Sequence, residues 1–204
     1  MAYCPKLKSE ITTVVKALDD YKYRKSIKNL NRALVGFKRH KMVQNLTTAR
    51  NIGLVFNLPD QSVLDEVLNL KKYFESNNIT VVALGYFDAK EIPQYFTMHN
   101  RVSVFDKNQV NWYGKPESAV VDSFTSTEFD ILIDLNFEET MPMRWISSLS
   151  KAKFRVGALN YYNNPFDLII TVDKSKGLNY LCEQIKQILY QLNNRFAQEP
   201  TTTL

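Results

Sequence analysis

The chain has 204 residues, with 26 lysines and arginines against 21 acids and a formal net charge of +5. A hydrophobic share of 45% with 12% aromatics is enough for a packed core and excludes global disorder. The two cysteines, Cys4 and Cys182, lie far apart and outside any CxxC or Cys/His cluster, which excludes a disulfide framework and a structural zinc site and points to a reduced cytoplasm.

Charge is unevenly distributed. Twelve of the 26 basic residues fall in the first 50 positions, where the only acids are Glu10, Asp19 and Asp20. The remaining 154 residues carry 14 basic and 18 acidic residues, so a +9 segment leads into a −4 body. Such segregation suggests one part that seeks a polyanion and one that folds as an ordinary domain. Residues 1–50 read as a basic amphipathic helical segment, 51–194 as the folded domain and 195–204 as a flexible polar tail.

From Ser9 to about Thr48 the pattern is helical. Tyr23, Ile27, Leu30, Leu34 and Phe37 recur at three- and four-residue steps, while Lys22, Arg24, Lys25, Lys28, Arg32, Lys38 and Arg39 mostly fall off that stripe. Asp19-Asp20 predicts a break between a short helix and a longer one, because aspartate favours helix starts.

The period changes at Asn51. The run Asn51–Phe56 predicts a buried strand, and Asn57-Leu58-Pro59-Asp60 a turn, with Asp60 capping a helix over Gln61–Ser76. Ile79–Leu84 is the next strand, so the unit is β-α-β with a crossover long enough to be parallel. Val102–Phe105 and Val110–Tyr113 read as two strands of a hairpin around Asp106-Lys107-Asn108-Gln109. Ile131–Leu135, Phe154–Leu159 and Phe166–Val172 are further strands, and Pro142–Ser150 and Gly177–Leu192 further helices. No run approaches the ~18 consecutive apolar residues of a transmembrane helix. The expected fold is α/β: a Rossmann-like, open, mostly parallel sheet flanked by helices and preceded by the basic helical segment.

Parallel sheets of this kind bind ligands beyond the carboxyl ends of their strands. The residues placed there are Asn57, Asp60, Asp88, Asn136, Asn160 and Asp173, with Glu138 and Glu139 beside them. They form a candidate ligand site, although Asn and Asp serve equally well as caps and turn formers. None of the six glycines builds GxGxxG or GxxxxGKS, and Asp60 and Asp65 would repel a pyrophosphate, so a dinucleotide cofactor is not expected. His40 and His99 stand in no nucleophile–base motif. Trp112, Trp145 and Tyr161-Tyr162 suit packing better than ring stacking. No catalytic residue, metal or cofactor is assigned.

Two resemblances add to this reading. Over Phe129–Gly157 the string FDILIDLN, a helix ending in Ser148-Leu149-Ser150-Lys151-Ala152, and FRVG resemble the heptosyltransferase-type glycosyltransferases, making Asp134, Arg155 and Gly157 structural matches. That likeness implies a small transferase-like enzyme binding a nucleotide or nucleotide sugar at the carboxyl edge. The whole chain, with its basic helical lead and short α/β body, is similar to an uncharacterised α/β family of Bacteroidetes-type bacteria, which implies fold and kinship.

The strongest functional signal remains the basic segment. Clustered cations repel one another, and a phosphate-bearing partner relieves that repulsion while releasing counterions. The expected function is therefore non-enzymatic binding of a polyanion such as RNA or a ribosomal particle. The alternatives are the carboxyl-edge enzyme, and a peripheral membrane protein whose Ile27/Leu30/Leu34/Phe37 stripe enters an anionic surface or meets a protein partner. The expected location is cytoplasmic, free or peripheral to a large assembly or the inner membrane surface.

Overall fold

In the computed structural model, residues 5–192 are described, with side chains from Val15 onward. The polar tail and Cys4 lie outside the described residues.

Strand β1 (Asn51–Asn57) is buried along its five central residues, as its apolar run requires. Its Gly53 answers to a close approach: a Cβ there would lie 2.8 Å from the Phe129 ring and 3.0 Å from Phe124. Gly53→Ala should therefore overpack the core and lower stability by about 1–3 kcal/mol in a urea titration. After β1, Asp60 adopts an extended backbone and accepts hydrogen bonds from the Ser62 and Val63 amides at 2.9 and 3.2 Å. It caps α2 (Gln61–Ser76), whose Leu64, Val67, Leu70 and Phe74 face the core. The chain then forms β2 (Thr80–Phe87), β3 (Val102–Asp106), β4 (Ile131–Asp134), β5 (Phe154–Gly157) and the two-residue β6 (Leu168–Ile169). Helices α3 (Ala119–Ser126) and α4 (Met141–Leu149) flank β4, and α5 (Gly177–Gln191) follows β6. Helix α1 (Pro5–Leu34) leads the chain.

All five strand pairings are parallel, and the spatial order is β3-β2-β1-β4-β5-β6. The expected open parallel α/β sheet is what forms. Residues of α2 and α5 share one core with Ile52, Leu54, Phe56, Ile131 and Ile133. Residues of α3 and α4 share the other with Val55, Leu84 and Leu132. Alternate side chains of each strand thus feed opposite faces.

Three local expectations change, and one helix went unread. Asp19-Asp20 does not break α1; Lys22 pairs with Asp19 at 3.6 Å and Arg24 Nε donates to the Asp20 carbonyl at 3.2 Å, so the acids sit inside a continuous helix. The helix ends at Leu34, well before Thr48, and Gly36 supplies the left-handed φ of 78° that turns the chain away. The hairpin is absent as well. Asp106 accepts from the Asn108 amide and Gln109 returns its side-chain oxygen to the Asp106 amide, a reciprocal cap that starts a short 3-10 turn. Val110 keeps a single bridge, to Pro116, and β3 pairs in parallel with β2. Finally, α3 has eight residues, too few to show a helical period among its β-branched Val120, Val121 and Thr125.

Helix α1 forms a third layer by packing on α4. Ser26 is fully buried and accepts from Trp145 Nε1 at 2.8 Å, and Leu30 is 2% exposed. Because α4 is covered by the sheet on one side and α1 on the other, seven of its nine residues are buried. Residues 37–50 then run as a strap across the body. Arg39 binds both Asp167 oxygens at 2.5 and 2.6 Å and the Ala152 and Lys153 carbonyls at 3.1 and 2.8 Å. Asn45 Nδ2 donates to the Leu192 carbonyl at 2.7 Å.

Candidate functional site

The order of strands fixes where a crevice must open. From β1 the chain leaves toward the α2 face, and from the adjacent β4 it leaves toward the α4 face. Two neighbouring strands whose connections diverge leave space between them at their carboxyl ends. A cavity of about 380 Å³ lies there. Asn57, Asn136, Thr140, Asp88 and Glu138 supply its polar groups, and Leu58, Pro59, Val63, Leu135, Phe137 and Leu178 its apolar wall.

A hydrogen-bond network ties the floor of the crevice together. Asn136 Oδ1 accepts from the Asn57 amide at 2.6 Å, and Thr140 Oγ1 donates to Asn57 Oδ1 at 3.1 Å. Asn136 Nδ2 and its backbone amide both donate to Asp134 Oδ1, at 2.6 and 3.1 Å, while Ser147 Oγ donates to Asp134 Oδ2 at 2.7 Å. The amide and hydroxyl groups therefore lock β1, β4 and α4 to one another. Asp134 is buried behind Asn136 and does not itself line the cavity. Burial pushes its pKa up to about 6, against the opposing pull of the Ser147 and Asn136 hydrogen bonds.

A raised carboxyl has a directional consequence. The folded state holds this proton more tightly than the unfolded chain does, so the contribution of Asp134 is fully favourable below the unfolded value of 3.8 and is lost as pH climbs through 6. Asp134→Asn keeps the shape, and its amide can still accept from Asn136 and donate to Ser147. Urea titrations from pH 4 to 7 should show wild-type stability falling across that window and the variant's staying flat. Asp130, held low by the Lys153 hydrogen bond and the Arg50 and Asn51 amides despite its burial, acts only below that window.

Of the six carboxyl-edge residues named from sequence, Asn57, Asp88 and Asn136 meet at the cavity. Asp60 stands at its margin with its carboxylate committed to the α2 cap. Asn160 is exposed and accepts from Asn164 Nδ2 at 3.4 Å, and Asp173 caps a 3-10 turn through the Ser175 amide at 2.9 Å. Neither lines the cavity. Glu139 is drawn aside by Arg144 at 2.5 Å, a residue that also donates to Tyr23 Oη and the Tyr162 carbonyl and lies over the Tyr161 ring. Tyr86, which donates to Asp88 Oδ1 at 2.9 Å, was not legible as a site residue because it belongs to a strand of uniformly apolar pattern. Thr140 was hidden likewise; only its place before α4 marks it.

The basic residues divide into two groups. Arg39 and Lys41 share Asp167, and Lys22 pairs with Asp19. Arg24, Lys25, Lys28, Arg32 and Lys38 have no carboxylate partner among the described residues. The apolar stripe of the membrane alternative is spent on the body: Leu30 is buried, Ile27, Leu34 and Phe37 are half-buried, and Arg155 lies over the Phe37 ring at 5.8 Å. Trp145 is core, whereas Trp112 is 56% exposed and stacked on Tyr21. Among the described residues no three His, Cys, Asp or Glu side chains come together as a metal site, and no helix is long and apolar enough to cross a membrane.

Six parallel strands in this order, helices on both faces and a crevice where the connections diverge define an open Rossmann-type α/β protein. Residues 22–192 match the model of a family of unknown function, DUF6913, and the chain belongs to that family. No curated protein matches. Among solved structures, the chain is similar to an exopolyphosphatase-related protein from Bacteroides fragilis, at 15% identity and a TM-score of 0.47, covering 71% of this chain and 42% of that one. The chain thus spans less than half the length of that protein. None of these matches shows the heptosyltransferase likeness. The stretch that carried it is β4, α4 and β5, whose hydrophobic string is common to strand–helix–strand units.

Proposed function

We propose that the protein binds a polyanion such as RNA, alone or in a ribosomal particle, through the solvent face of α1. One observation carries the reading: Arg24, Lys28 and Arg32 are exposed, spaced four apart, and without a carboxylate partner among the described residues. Each lies two residues from Ser26 or Leu30, which places the row about 160° around the helix from the side packed on α4. Like charges four residues apart destabilise a helix unless a partner offsets them. Anchoring by Ser26, Trp145 and Arg144 presents the row rigidly, so little ordering entropy opposes binding.

Lys25 and Lys38 extend the cationic surface, and Arg39 is removed from the expected set by its bonds to Asp167. At the amino-terminal end of the row, Tyr21 and Trp112 are stacked and both more than half exposed. Cations followed by exposed rings suit a single strand, whose phosphates and bases need both. Fluorescence anisotropy with a labelled oligouridylate tests this. The Arg24→Glu/Lys28→Glu/Arg32→Glu variant should lose binding with its melting temperature unchanged. Retention of affinity in that variant would refute the proposal.

A further inference from the structure

We infer that the cavity between the carboxyl ends of β1 and β4 is a second, independent binding site, and that it takes a small organic amine with an apolar body. Its size falls in the range of small-molecule pockets, about 300–1,000 Å³. The wall of Leu58, Pro59, Val63, Leu135, Phe137 and Leu178 would bury an aliphatic or aromatic body.

The polar groups select the head. Asp88 and Glu138 are the charged residues lining the cavity; no lysine or arginine lines it. Lys107 and Lys174 reach Asp88 Oδ1 and Glu138 Oε1 at 3.0 and 3.3 Å. Both pairs are more than half exposed, and exposed pairs of this kind open at little cost. Asp88 Oδ2 and Glu138 Oε2 accept no hydrogen bond among the described residues. An ammonium group, which only donates, suits the unused oxygen of either carboxylate.

The same residues reject the ligand that this fold most often holds. A pyrophosphate would need the free amides at the start of α2, and the Asp60 carboxylate already takes those of Ser62 and Val63. It would also face the carboxylates of Asp88 and Glu138 in the cavity wall. The crevice keeps the position of a nucleotide site but has the opposite charge preference.

Isothermal titration of the full chain with n-hexylamine, n-hexanol, n-hexanoate and ADP tests the inference. Hexylamine should bind at least tenfold more tightly than hexanoate, and ADP should show no saturable binding. Asp88→Asn/Glu138→Gln changes only exposed groups and should weaken hexylamine about tenfold while leaving hexanol unchanged. Val63→Trp, which fills the cavity, should abolish both. Hexanoate or ADP binding as tightly as the amine, no amine binding, or amine binding that the double variant leaves intact would each overturn it. The triple-glutamate variant of α1 should bind hexylamine like the wild type, which separates failure here from failure of the polyanion proposal.

Discussion

Asp167→Ala is expected to lower the free energy of unfolding by about 3–5 kcal/mol, the range for removing one partner of a largely buried ion pair. The Arg39 side chain is 5% exposed and that of Asp167 is 19% exposed, so water screens the pair weakly. Asp167 does more than pair. Its Oδ2 also accepts from the Arg155 amide at 2.9 Å, and Lys41 lies 3.7 Å from its Oδ1. Without it, no carboxylate offsets the repulsion between the Arg39 and Arg155 guanidiniums. Arg155 is already under pressure: burial and the neighbouring Arg39 push its pKa down to about 9, and Asp167 opposes them. Its Nε has no hydrogen-bond partner among the described residues, and one terminal nitrogen donates to the Ser150 carbonyl.

A double-mutant cycle separates the charge effect from the loss of packing. If an uncompensated guanidinium is the main cost, Arg39→Ala in the Asp167→Ala background should restore part of the stability, with a coupling energy above about 1 kcal/mol in urea titrations. Additive losses would show instead that the strap is held by its backbone bonds, such as the Met42 amide to the Lys153 carbonyl at 3.1 Å. The cycle also bears on α1, because residues 37–42 connect that helix to β5.

The β-α-β start, β4 and β5 were legible because burial on both faces leaves a continuous apolar run, and because Asp60 announces α2 as an N-cap, whereas of the expected strand Phe166–Val172 only the half-buried Leu168–Ile169 pairs. What failed depended on context. Val110–Tyr113 has the composition of a strand, yet the cap formed by Asp106 and Gln109 directs the chain into a turn. The stripe on α1 read equally well as membrane-seeking or core-facing, since periodicity cannot name the surface a helix covers. Arg39 illustrates the same limit. In sequence it belongs to a basic cluster, and only a residue 128 positions away shows that it is an anchor. For the cavity, Asn57, Asp88 and Asn136 followed from the rule that strand ends carry ligand sites, whereas Leu178 and Tyr86 required the strand order that brings them there.

If α1 meets a single-stranded polyanion, salt should govern the affinity. Arg24, Lys25, Lys28, Arg32 and Lys38, each without a carboxylate partner among the described residues, form a contact set that would neutralise five phosphates. Each contributes about −0.7 to the slope of log K against log salt, giving a full-chain slope near −3.5. Raising salt from about 50 to 200 mM should therefore weaken binding roughly 100-fold. Removing the three charges of the outer row should flatten the slope by about 2. Trp112→Ala tests the other half of the surface. It removes a ring but no charge, so stacking predicts an affinity loss worth about 1–3 kcal/mol with the slope unchanged. A purely electrostatic surface would leave the Trp112 variant at wild-type affinity, and the oligouridylate would then bind no better than a polyanion lacking bases.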